Sequence, residues 1–90
     1  MNASLQDRIL KVLTGVAPDI DPRQLAPDIN LRDQVDFDSM DTLNFAVGLK
    51  REFGIDVPDA HLPELASISS CMKYLQARLA AGEAPVRQEP

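Results

Sequence analysis

A single cysteine in ninety residues, Cys71, excludes an internal disulfide and any cysteine-based metal cluster. A reducing cytoplasm is the compartment expected for such a chain. Positive charge is scarce as well: nine lysines and arginines face fourteen acids, a formal net charge of −5. Nucleic-acid binding needs a basic patch that releases counterions from phosphates, so the balance argues against that class. Anionic membrane surfaces are disfavoured for the same reason. No apolar run reaches the roughly 18 residues that a membrane-spanning helix needs. The N-terminus, MNASLQDRIL, lacks a basic region followed by an apolar run, so no signal peptide is expected. Aromatic residues are few, three phenylalanines and one tyrosine, and there are no β-strand alternations, repeats or low-complexity blocks. What remains is 44% apolar residues, mostly aliphatic, which suits one small helical domain with a modest core.

Residues 3–16 read as an amphipathic helix, because Leu5, Ile9, Val12, Leu13 and Val16 fall on one stripe of a 3.6-residue period. Pro18 and Pro22 bound its end. A long connection follows over about residues 17–38, and loops of that length in compact domains are often functional. Ile20, Leu25, Ile29, Leu31, Val35 and Phe37 give it apolar anchors, and NLRDQV has room for one helical turn. The second main helix runs from Ser39 to Phe53 and stops at Gly54. IDVPDAHLPEL holds two prolines and leaves space for one short helix, with Asp59 a candidate cap. Ser67 is the expected cap of a last helix, whose stripe is Ile68, Cys71, Met72, Leu75 and Leu79. Residues 81–90 have no periodicity and are expected to form a disordered tail behind a domain of residues 1–80. The fold class is therefore all-α: a small four-helix bundle, three main helices plus one short one, with a long first loop.

The helix from Ser39 carries two apolar faces. At 100° per residue from Met40, Phe45, Ala46, Leu49 and Phe53 fall at roughly 140°, 240°, 180° and 220°. They form the core face. Met40, Leu43 and Val47 fall at roughly 0°, 300° and 340°, a second stripe far around the helix. Either that stripe packs under the long loop, or it stays exposed as a binding surface. Asn44 and Arg51 border it on one side and Lys50 on the other. The stripe begins beside Ser39, which lies between Asp38 and Asp41 in VDFDSMDTLNF. On its plainest reading Ser39 is a helix cap. Yet the unpaired N–H groups and partial positive charge of a helix start also favour a phosphate on such a serine.

DFDSMDTLNFAVGLKREFGIDVPD resembles the acyl carrier proteins and the related peptidyl and aminoacyl carrier domains. Asp38-Ser39-Met40 matches the family's attachment motif, and Asp41-Thr42 follows as in many fatty-acid carriers. The likeness extends over about residues 3–79: PDIDPRQLAPDINLRDQ is similar to the family's first loop, FGIDVPD to its second, and SISSCMKYL to its last helix. The resemblance implies a 4′-phosphopantetheine arm on Ser39, transferred from coenzyme A by a phosphopantetheinyl transferase, with acyl groups held as thioesters on the arm's thiol. It implies that Asp38 helps orient the transferase's metal–coenzyme A complex. Met40, Asp41, Leu43, Asn44, Val47, Lys50 and Arg51 would meet partner enzymes that transfer, condense or ligate acyl groups. The first-loop apolar residues and Phe53 would line a core that in some members shelters short acyl chains. The domain would be a monomeric carrier in fatty-acid, lipid or specialised secondary-metabolite synthesis, a substrate of enzymes rather than an enzyme. One departure stands out. The family's second helix is usually strongly acidic, whereas here Asp41 and Glu52 are balanced by Lys50 and Arg51, and the acids gather instead at Asp28, Asp33, Asp36 and Asp38. Charge complementarity governs partner choice more than affinity, so the expected partners are less basic opposite the middle of this helix.

The competing readings are an aminoacyl or peptidyl carrier, a helical interaction module in which Ser39 merely caps, and an enzyme. A Ser–His–Asp site would have to use His61, the sole histidine, with Asp59, and no nucleophile elbow accompanies Ser39. A surface or structural histidine is the better reading. One histidine, one cysteine and scattered aspartates lack metal-ligand spacing, and the aspartates do not match a calcium loop. Cys71 belongs to the core stripe of the last helix, and Tyr74 is expected to cover the core edge with its hydroxyl in solvent.

Overall fold

Ser4 opens the first helix from outside: its Oγ accepts the Asp7 N–H at 3.1 Å, and α1 then runs Leu5–Val16. A side-chain oxygen in that position satisfies one of the donors that a helix start leaves unpaired. The structure, a computed structural model, describes residues 4–81. Ala17 closes α1 by donating to Leu13 O, and Pro18 cannot extend it.

The long connection is ordered by contacts that reach across the chain. A 3-10 turn spans Pro22–Gln24, capped by Asp21, and a four-residue helix, α2, spans Leu31–Gln34, where one helical turn was expected. The Gln34 side chain binds Ala26 N, Ala26 O and Ile29 O at 2.8–2.9 Å. Leu31 N donates to Ala66 O and Ser69 N to Pro27 O, which ties the loop to the start of the last helix, far along the chain. Leu31 and Phe37 are buried, while Ile20, Leu25 and Val35 pack partly against the core. Ile29 differs from expectation. It is 47% exposed and anchors nothing, because its segment is held through backbone groups by Gln34.

α3 runs Ser39–Phe53 and ends at Gly54, whose φ of 73° lies in the left-handed region that only glycine enters without strain. The short helix expected next is a 3-10 helix, Asp59–Leu65. Asp59 is not its cap; Pro58 occupies that position, and no side chain caps this helix. α4, Ile68–Ala80, begins as expected with Ser67, paired in a capping box with Ser70. The expected tail lies outside the described residues except for Ala81, which is the C-cap of α4. Among the described residues the fold is all-α, with no helix long and apolar enough to cross a membrane.

The core is built from the stripes foreseen for the three long helices: Ile9 and Leu13 from α1, Phe45, Leu49 and Phe53 from α3, and Ile68, Cys71 and Leu75 from α4. Leu31, Phe37, Ile55 and Leu65 close it from the connections. α1 and α3 approach closely at Gly48, where a Cβ would lie 2.5 Å from Val12 Cγ1. Arg8 clamps the same seam. Its Nε meets Glu52 Oε2 at 2.8 Å, its Nη2 donates to Glu52 O, and its guanidinium lies 4.4 Å from the Phe53 ring centroid.

Cys71 is fully buried, and burial pushes its thiol up to about 12. At pH 8 its thiolate fraction is then on the order of one in ten thousand. Iodoacetamide is therefore expected to leave the native, unloaded domain unmodified and to add one carbamidomethyl group after denaturation, as read by intact mass. Native-state labelling within minutes would place Cys71 outside the core. Tyr74 packs partly against the core, and at the exposed edge its hydroxyl has protein partners besides solvent: His61 Nδ1 lies 2.7 Å away, and Arg78 donates to the same oxygen.

Candidate functional site

The chain reaches the start of α3 through Phe37, which is buried, and Asp38, which is extended, so that helix geometry begins at Ser39. Asp38 is the cap. Its Oδ1 accepts the Asp41 N–H at 3.0 Å, and Asp41 Oδ2 in return accepts the Asp38 N–H at 3.1 Å. This reciprocal capping box takes over the task that the plainest reading gave to Ser39, which is the first helical residue rather than the cap. Ser39 is exposed, and among the described residues its hydroxyl has no hydrogen-bond partner. Its amide and that of Met40 are likewise without partners there. Together they leave a free nucleophilic oxygen on a rigid helix start, with a partial positive charge beside it.

Two apolar features lead away from that oxygen. Met40, Leu43 and Val47 are 63%, 42% and 51% exposed, so the second stripe of α3 faces solvent and does not pack under the loop. On another side a cavity of about 410 Å³ opens between α2, the start of α3 and the 3-10 helix. Leu31, Phe37, Leu43, Leu62 and Pro63 line it with Ser39, and Arg32 is the one cation on its wall. Leu43 thus serves both features. The first-loop residues Leu31 and Phe37 reach this cavity; Phe53 does not, and lies in the core. Leu62 and Pro63 were not among the residues singled out from the sequence, since HLPEL carries no helical periodicity to mark its apolar side.

The remaining residues named from the sequence separate. Asp41 is half-buried and engaged in the capping box, whereas Asn44 is exposed. Lys50 pairs with Asp56 at 3.6 Å on the surface. Arg51 has no ion-pair partner among the described residues. The His61 ring is bonded to Tyr74 and stacked edge-on against it, with no hydrogen bond to Ser39. Among the described residues no three of His, Cys, Asp and Glu gather as a metal site.

The family model described as "Phosphopantetheine attachment site" matches residues 7–75. The acyl carrier protein of Thermosynechococcus vestitus is 24% identical over 79 residues, covering 84% of this chain and 98% of the relative. That of Picosynechococcus sp. is 25% identical over 81 residues, covering 90% and 99%. Acyl carrier protein 2, mitochondrial, of Arabidopsis thaliana is 26% identical over 73 residues; the match takes in 81% of this chain and 57% of that relative, a little over half of its length. A match of this extent, on a bundle that bares a serine at the start of its central helix, shows that the chain belongs to the acyl carrier protein family of phosphopantetheine-attachment domains.

Proposed function

We propose that Ser39 is the attachment point of 4′-phosphopantetheine and that the domain carries acyl intermediates for partner enzymes in fatty-acid, lipid or specialised secondary-metabolite synthesis. The observation that carries this reading is the free, exposed hydroxyl of Ser39 next to an aspartate that has already satisfied the helix start. When bound, the arm supplies a thiol that holds the acyl group as a thioester. The chain's own part is positional. It fixes the serine oxygen on a helix, offers Met40, Leu43 and Val47 as apolar contacts, and provides the neighbouring cavity as shelter for an apolar cargo. Incubation with coenzyme A and a promiscuous phosphopantetheinyl transferase, followed by intact mass measurement, tests the reading: one arm is expected, and a folded domain that stays bare refutes it.

Asp38 has a second oxygen, Oδ2, that the capping box leaves free to meet the transferase's metal–coenzyme A complex. Asp38→Asn separates the two roles. Asparagine caps as well as aspartate, so stability should change by less than about 0.5 kcal/mol. Losing a charge-assisted contact worth about 1.5–3 kcal/mol slows loading by about tenfold to a hundredfold. Loading at the parent rate would confine Asp38 to capping.

A further inference from the structure

Lys50 and Arg51 read alike in the sequence, as two bases near the end of one helix. Their surroundings part them: Lys50 turns to Asp56, while Arg51 lies along the seam of α1 and α3 with Lys11. A depression of about 510 Å³ follows that seam. Val12, Val16 and Val47 give it an apolar lining, and Lys11 and Arg51 are its charged members besides Glu52. Glu52 is already taken. Arg8 holds its carboxylate at 2.8 Å, and that hydrogen bond, aided by the nearby charges of Lys11 and Arg8, keeps it below the usual carboxylate range. Neither Lys11 nor Arg51 has an ion-pair partner among the described residues. Gly48 lets the two helices close up beneath the depression, and at Gly15 a Cβ would meet nothing within 4 Å, so that end is open.

Arg51 lies ten residues along α3 from Asp41, about 15 Å by helical rise. That is roughly twice the Debye length in physiological salt. The acids around Ser39 therefore do not cancel this site, and a chain of net charge −5 presents a local cationic groove. A groove between two packed helices accepts the side-chain ridge of a third helix.

We propose that the α1–α3 seam docks an acidic amphipathic helix of a partner protein, carboxylates meeting Lys11 and Arg51 and an apolar side chain seated among Val12, Val16 and Val47. The proposal deepens the carrier reading, since it assigns partner enzymes a negative element at the far end of α3 from Ser39. Two unpaired cations are too few for strong nucleic-acid binding, and the acidic whole disfavours anionic lipid.

The test titrates the isotope-labelled, unloaded full chain with two synthetic helical peptides of about 20 residues. Both carry the same leucine stripe, flanked in one by glutamates and in the other by lysines. The glutamate peptide is expected to shift amides over 11–16 and 44–52, more weakly as salt rises from about 50 to 200 mM. The lysine peptide should bind there at least about tenfold less tightly. Lys11→Glu with Arg51→Glu should invert the preference. Gly15→Leu, which fills open space and replaces a poor helix former, should weaken the glutamate peptide about fivefold or more without lowering the melting temperature. Equal affinity for both peptides, no binding, or shifts centred on Met40 and Leu43 would overturn the proposal. So would flotation with phosphatidylglycerol vesicles or concentration-dependent dimerisation that the double reversal abolishes. Because no arm is needed, failure to load Ser39 bears on the carrier reading alone, and loading without peptide binding on this proposal alone.

Discussion

Ser39→Ala should gain no arm from coenzyme A and a transferase while melting at or slightly above the parent temperature. Both halves follow from the start of α3. The serine hydroxyl has no partner among the described residues, so its removal breaks no hydrogen bond, and Asp38 and Asp41 keep the capping box. Alanine is the best helix former and suits the first helical position. Attachment, however, loses its only oxygen there. A mere cap would behave in the opposite way, costing about 1 kcal/mol on truncation and leaving no modification to lose. Ser39→Asp adds negative charge where the helix start favours it, so it should be at least as stable as alanine and equally bare. Ser39→Thr retains a hydroxyl but is stiff at χ1, and it too is expected to fail. Intact mass and thermal circular dichroism on the same samples decide the matter. An arm retained in Ser39→Ala would shift attention to Thr42, whose hydroxyl lines the same cavity and donates to Asp38 O, and would end the assignment to Ser39.

The long helices were legible in the sequence because each carries a stripe with a period, joined by a stop for α1 and α3 and a cap for α4. Ile9 and Leu13, Phe45 and Leu49, Cys71 and Leu75 all lie where their spacing put them. The second stripe of Met40, Leu43 and Val47 was legible for the same reason, but its period left open whether the loop covers it, and the fold shows all three exposed. What could not be read depends on contacts between residues far apart in the chain. Ile29 differs from Leu31 in burial because Leu31 N is drawn to Ala66 O while Gln34 holds the Ile29 backbone. No local pattern distinguishes these two residues. The cavity beside Ser39 needs Leu62 and Pro63, supplied by a 3-10 helix whose period differs from that of an α-helix. Ser39 itself was found as a motif, but its freedom was not, since Asp38 and Ser39 can each cap a helix and only geometry shows that Asp38 does. Lys50 and Arg51 were separated in the same way, one by Asp56 and the other by a lysine on another helix.

Phe45→Ala is expected to be the most damaging single core truncation for the site as well as for the fold. Phe45 is fully buried and is the bulkiest of the fully buried side chains. Truncation of such a ring costs about 3–5 kcal/mol, a large share of the ~5–15 kcal/mol that holds a domain together. At about 4–8 °C per kcal/mol for a domain of this size, the melting temperature should fall by roughly 12–40 °C. The effect should extend to Ser39 through one ring pair. Phe37 stands edge-on to Phe45, centroids 6.2 Å apart at 86°, and is the last buried residue before Asp38 and Ser39. That pair sets where the long loop ends and so the position from which α3 starts. Phe37→Leu keeps most of the apolar burial but gives up the aromatic pairing, worth about 0.5–1.5 kcal/mol, and enlarges the cavity beside Ser39. It should therefore melt only modestly lower and still load more slowly than the parent at temperatures where both are fully folded. Thermal melts followed by loading rates under those conditions separate the two effects. Parent-like loading in Phe37→Leu would mean that the capping box alone positions Ser39, and a drop below about 5 °C in Phe45→Ala would mean that the core closes over the missing ring.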